Sequence, residues 1–238
     1  MSYLRSTEYS LYLGGKTALL RKAANWPWSK KWVALTECDA GRLDNLAEFL
    51  IGRSARLTIW LGGAHCRWMT FPLPPGVYTD DPLVAIARKL FADRLGLDAT
   101  KWRVIVAPQR FGVVAAAAPI SLIDTLRDNL SSKVKLRAVS PWFGQVFTRQ
   151  NVVLKENGAL GVLEDDVITL MDVRSGAPRI STLIVGQEDA RSFVQRVALQ
   201  SAAPTQVAIM HTQKAKGSLA VDRLQGNFLD CLVLGSVT

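Results

Sequence analysis

Apolar and polar positions first organise the chain into a hairpin. Tyr9–Leu13 and Thr17–Arg21 flank Gly14-Gly15 and read as two antiparallel strands, and Lys31–Glu37 reads as a third. Between Gly41 and Gly52 the period changes. Leu43, Leu46, Ala47 and Leu50 fall at helical spacing, and Gly52 suits the C-terminal end. Arg56–Leu61 returns to a strand. A second Leu-Gly-Gly then predicts a turn that brings His65–Phe71 back to pair with that strand. The stretches LYLGGKTALL and IWLGGAHCRW are therefore near repeats.

Pro72–Gly76 interrupts the pattern. Asp80–Gly96 predicts a helix, with acids and proline in its first turn, apolar Leu83, Ile86, Ala87, Leu90 and Phe91, and a terminal glycine. Trp102–Ala107 and Gly112–Ala118 read as strands, Ser121–Asn129 as a helix, Lys133–Ala138 as a strand and Pro141–Arg149 as a short helix. The second half begins again with strands. Val152–Lys155 and Leu160–Leu163 flank Asn157-Gly158, a hairpin signal. Val167–Val173 and Arg179–Val185 continue the meander around Ser175-Gly176, followed by a helix at Asp189–Gln200 and strands at Gln206–His211 and Phe228–Leu234. Each half thus opens with a three-strand antiparallel meander and proceeds into alternating helices and strands, a duplicated α/β plan.

Composition narrows the function classes. The chain has 238 residues, of which 49% are hydrophobic, enough to bury a sizeable core. No apolar run approaches the roughly 20 residues of a membrane span, and MSYLRSTEYS lacks an apolar signal core. A soluble cytoplasmic protein is expected. Cys38, Cys66 and Cys231 are scattered, which predicts reduced thiols. With His65 and His211 the only histidines, a zinc site would need nearly all of these residues to converge, and no metal is expected. The formal charge of +9 is spread along the chain and is densest at RKAANWPWSKKW. That stretch allows three interpretations: stacking of single-stranded bases, contact with an anionic membrane surface, or packing of Trp26, Trp28 and Trp32 along a connection. The last is favoured.

The other chemical candidates have structural counterparts. Gly14-Gly15 and Gly62-Gly63 can cradle phosphate or turn a hairpin. Neither has Walker spacing, which favours the hairpin. His65 and Cys66, adjacent on a predicted strand, point to opposite faces and cannot pair as base and nucleophile. Glu164-Asp165-Asp166 is expected to be a solvated turn in preference to a cation site.

From Arg56 to Val106, RLTIWLGGAHCRWMTFPLPPGVYTDDPLVAIARKLFADRLGLDATKWRVIV resembles the actin-fold PilM- and GspL-like components of type IV pilus and type II secretion platforms. Val113–Asn129 and VKLRAVSPWFGQVF, Val134–Phe147, extend the resemblance, which continues by pattern over the rest. It implies an α/β fold of two actin-like (ribonuclease H-like duplicated) lobes. Residues 1–150 would form the first, with a subdomain inserted around 63–118, and residues 151–238 a shortened second. The resemblance also sets a test. Active members place Asp-x-Gly at the first hairpin, where this chain has Tyr12-Leu13-Gly14. A pseudo-ATPase with no catalytic residues and no cofactor is expected. Its implied work is to link an assembly ATPase to inner-membrane platform proteins from the cytoplasmic side, with no specific nucleic acid. A GspL-like chain would continue into a membrane helix beyond Thr238. Docking by a few buried anchors points to Trp26, Trp28, Arg67 and Trp68. A nucleotide-binding actin-like ATPase and a basic single-strand nucleic-acid binder are the alternatives.

Overall fold

A computed structural model describes residues 7–23, 32–40, 55–77, 79–109, 112–130, 134–144, 158–164, 167–174, 177–184, 206–211, 223–226 and 229–234. The helices expected at Gly41–Gly52 and Asp189–Gln200 lie outside them, as do Trp26 and Trp28.

The first sheet comprises β1 (Thr7–Leu13), β2 (Thr17–Ala23), β3 (Trp32–Asp39), β4 (Ala55–Leu61) and β8 (Val134–Pro141), in the order β3-β2-β1-β4-β8. β1, β2 and β3 form the antiparallel meander, whereas β4 and β8 run parallel to β1. Alternation dictates which side of the sheet is buried. Leu11, Leu13, Leu57, Ile59 and Leu61 share the inner face, and each stabilises the fold by roughly 1.5–3 kcal/mol. Arg56 on the opposite parity is exposed.

Between β4 and β8 the chain builds a separate antiparallel sheet. β5 (Arg67–Phe71), β7 (Gly112–Pro119) and β6 (Trp102–Gln109) lie in the order β5-β7-β6. β5 therefore does not pair back on β4, contrary to expectation. Both edges of β4 are taken, by β1 and by β8. Helix α1 (Asp80–Leu95) covers the small sheet. Its Leu83, Ala87 and Phe91 meet Met69, Phe71, Val104, Val113, Ala115 and Ala117. At its end Gly96 adopts φ +64°, and the amides of Gly96 and Leu97 donate to the carbonyls of Ala92 and Phe91 at 3.0 and 3.3 Å. Those carbonyls are ones the helix itself leaves open, and the left-handed turn is cheapest for glycine. Helix α2 (Ile120–Asp128) places Leu126 on the first sheet's core, with Leu122 and Ile123 packed against that core.

The second half repeats the first. β9 (Gly158–Glu164), β10 (Val167–Arg174), β11 (Ala177–Ile184), β12 (Gln206–His211), β13 (Arg223–Gly226) and β14 (Leu229–Leu234) are ordered β11-β10-β9-β12-β14-β13. The first five positions reproduce the arrangement of the first sheet, with β9 equivalent to β1, β10 to β2 and β12 to β4. Val152–Lys155, the first arm of the hairpin expected around Asn157-Gly158, lies outside the described residues; β9 has β10 on one edge and β12 on the other. β13 was not anticipated from the sequence; it pairs antiparallel with β14, Gly226 opposite Leu229. Among the described residues no helix is long and apolar enough to cross a membrane.

Candidate functional site

β1 and β4 are parallel neighbours at the middle of the first sheet. From the carboxyl end of β1 the chain leaves towards β2 and β3. From that of β4 it leaves towards the small sheet and β8. In open α/β sheets the crevice opened by such a divergence is where ligands bind. Here it is bounded by Leu13-Gly14, by Leu61-Gly62-Gly63, and by residues 142–144, which follow β8 in helical conformation.

Tyr12 has the opposite parity to Leu11 and Leu13, so its ring leaves the core face. It meets Trp142 edge-on at 5.9 Å between centroids, and Trp60 packs on Trp142 at 6.1 Å. The Trp60 indole donates to Ser10 Oγ at 2.9 Å, which fixes this aromatic wall to β1. The polar end of Tyr12 faces the second half of the molecule. There Glu164, the last residue of β9, is only 1% exposed. The Tyr12 hydroxyl donates to Glu164 Oε1 at 2.9 Å, and the Gly63 amide donates to Oε2 at 2.8 Å. A buried carboxylate is tolerated only when its oxygens are hydrogen-bonded, and bonds to an ionised acceptor are the stronger kind. The expected solvated turn at Glu164 is thus corrected. Because β9 is the counterpart of β1, its carboxyl end is directed at the same crevice; Asp165 and Asp166 lie outside the described residues.

The second glycine pair is explained by the same contact. Gly63–His65 is a short 3₁₀ turn, not a hairpin loop. A β-carbon on Gly63 would lie 2.5 Å from Thr169 Oγ1 and 2.9 Å from Glu164 Oε2. One on Gly62 would lie 3.0 Å from Glu164 Oε1, from the Tyr12 hydroxyl and from the Leu13 carbonyl. Glycine is required because two halves of the molecule meet over its backbone. Gly14-Gly15, by contrast, turns the expected hairpin, with the Gly14 amide donating to the Thr17 carbonyl at 2.8 Å.

His65 ties the two glycine segments together. Its Nε2 lies 2.8 Å from the Gly14 carbonyl, which accepts, so Nε2 carries the proton. Cys66 is fully buried, its Sγ 3.9 Å from the Leu61 carbonyl. Burial, reinforced by the negative charge of Glu164, pushes its thiol from 9.0 up to about 12, while Arg67 opposes the shift. The thiol is protonated at neutral pH and is a poor nucleophile.

Of the proposed docking residues, Arg67 is exposed, with its guanidinium 5.9 Å from the Trp102 ring centroid and its Nη1 3.1 Å from the Cys66 carbonyl. Trp68 is half-buried. It packs on the first core and sits 5.2 Å from Phe143, with its indole nitrogen buried and lacking a hydrogen-bond partner. The crevice residues Tyr12 and Glu164 are brought together across 152 positions. Tyr12 and Glu164 each stand out in the sequence, the first for the missing carboxylate and the second in an acidic trio, but nothing there pairs them. The available signal was the placement of both at the end of the first strand of a repeat.

The chain resembles solved structures in overall fold. A Bacteroides thetaiotaomicron protein with an actin-like ATPase fold and unknown function aligns at TM-score 0.60 and 13% identity, over 91% of this chain and 87% of that one. The cytoplasmic domain of EpsL, an inner-membrane component of the Vibrio cholerae type II secretion system, aligns at 0.53 and 11%, over 96% and 91%. A chain of the PilM–PilN type IV pilus biogenesis complex aligns at 0.53 and 12%, over 86% and 81%. No protein-family model and no curated protein sequence matches. The protein has the actin-like fold. An ATPase of this fold implies a magnesium nucleotide, and among the described residues the crevice offers it the following groups. Tyr12 stands where the metal-associated carboxylate is expected, and the Glu164 carboxylate already takes the Gly63 amide.

Proposed function

We propose that this actin-like protein is a non-catalytic scaffold of a type IV pilus biogenesis or type II secretion machine. In this role it joins an assembly ATPase to inner-membrane subunits on the cytoplasmic side. One observation carries the proposal: the crevice at the carboxyl ends of β1 and β4 is bridged from within by hydrogen bonds from Tyr12 and Gly63 to Glu164. A fold whose ligand crevice is closed from within is suited to presenting surfaces, not to turning over a substrate. The likeness to the EpsL cytoplasmic domain and to the PilM–PilN complex supports the choice of machine.

Affinity capture of the tagged full chain from its native organism tests this. Retention of an assembly ATPase or an inner-membrane platform subunit is expected. Retention of no envelope-machine component overturns the proposal. So does tight single-strand nucleic-acid binding that survives physiological salt, because weak attraction through spread charge should fade by counterion release.

A further inference from the structure

We propose that Glu164 is an intramolecular latch: its carboxylate occupies an oxyanion seat in the first half of the molecule and thereby holds the crevice between the halves closed. The proposal goes beyond the scaffold function and is independent of which machine the protein serves.

The seat is a built feature. Two donors among the described residues come from separate places in the chain, the Tyr12 hydroxyl from β1 and the Gly63 amide from the turn after β4. Each takes a different oxygen of one carboxylate, at 2.9 and 2.8 Å. Two donors on two oxygens fix orientation as well as position. The space is shaped for this group: the missing β-carbons of Gly62 and Gly63 are what allow Glu164 to approach, since either would fall within 3.0 Å of a carboxylate oxygen. Behind Tyr12 the Trp142 and Trp60 rings support one wall. Because Glu164 is buried, loss of either donor removes compensation for the hydration its carboxylate has given up. A second contact between the halves lies elsewhere, where the Thr70 hydroxyl donates to the Pro178 carbonyl at 2.7 Å. Release of Glu164 therefore opens the crevice while this contact remains.

The test is hydrogen exchange on the full chain and its variants, Glu164→Ala, Glu164→Gln and Tyr12→Phe. In Glu164→Ala, exchange of the Gly63 amide and its neighbours in residues 61–66 is expected to accelerate about ten-fold or more, while β5 and β7 keep their protection. Sodium acetate, whose carboxylate fits the vacated seat, should restore protection where sodium chloride at equal ionic strength does not. Should Glu164→Ala not fold, Tyr12→Phe retains the ring packing and is expected to show a smaller acceleration confined to the same residues. Tyr12→Phe and Glu164→Gln should also be non-additive when combined, because they act on one contact. Unchanged exchange at residues 61–66 overturns the latch. So does a loss of protection spread evenly over the chain without an acetate-specific recovery.

Discussion

Two Leu-Gly-Gly segments, at 13–15 and 61–63, look alike and do different work. The first turns a hairpin within one sheet, and its Gly15 is exposed. The second lies against the other half of the molecule, with its glycines pressed by Glu164 and Thr169. A glycine pair therefore has no fixed meaning. What decides is whether the chain that comes near it is local or far away in sequence.

The largest effect that sharpens this comparison is expected at Gly63. A methyl group there meets Thr169 Oγ1 at 2.5 Å and Glu164 Oε2 at 2.9 Å. Gly63→Ala should cost about 3 kcal/mol in chemical denaturation, the upper part of the overpacking range. Tyr12→Phe comes next. It removes one hydrogen bond to a buried carboxylate while keeping the ring, and about 2 kcal/mol is expected from the same measurement. Gly15→Ala, at an exposed turn, is expected to cost no more than about 1 kcal/mol. Equal losses at Gly15 and Gly63 would break the comparison.

The smallest effect at neutral pH concerns Cys66, next to the second segment. Its raised thiol should leave it unmodified by iodoacetamide in the native protein at pH 8, with mass spectrometry as the readout. The folded value is above the unfolded one, so the protonated thiol's contribution to stability is fully present below pH 9.0. It is lost as pH rises towards about 12. Rapid alkylation at pH 8 would show that the turn after β4 is open.

Much of the fold was legible because its signals are local. The Gly14 hairpin, the helix ending at Gly96 and the strands of the small sheet each follow from periodicity and end residues within a short window. The errors have a common cause. β5 was expected on β4 because the two are adjacent in sequence, yet β1 and β8, far away in the chain, hold both edges of β4. The edges of β9 are likewise taken by β10 and by the distant β12. The site was half legible. Tyr12 stood out against the Asp-x-Gly expectation. Glu164 looked like one acid of a solvated trio, because nothing local reveals a partner 152 residues away. The alignment of the repeats, first strand with first strand, is the feature that brings the two together.

Titration calorimetry of the wild-type full chain with ATP and Mg²⁺ tests the central claim most directly. With Tyr12 and Gly63 committed to Glu164, no saturable heat is expected. A stoichiometric micromolar isotherm would show that the crevice accepts nucleotide and would contradict the closed, non-catalytic account.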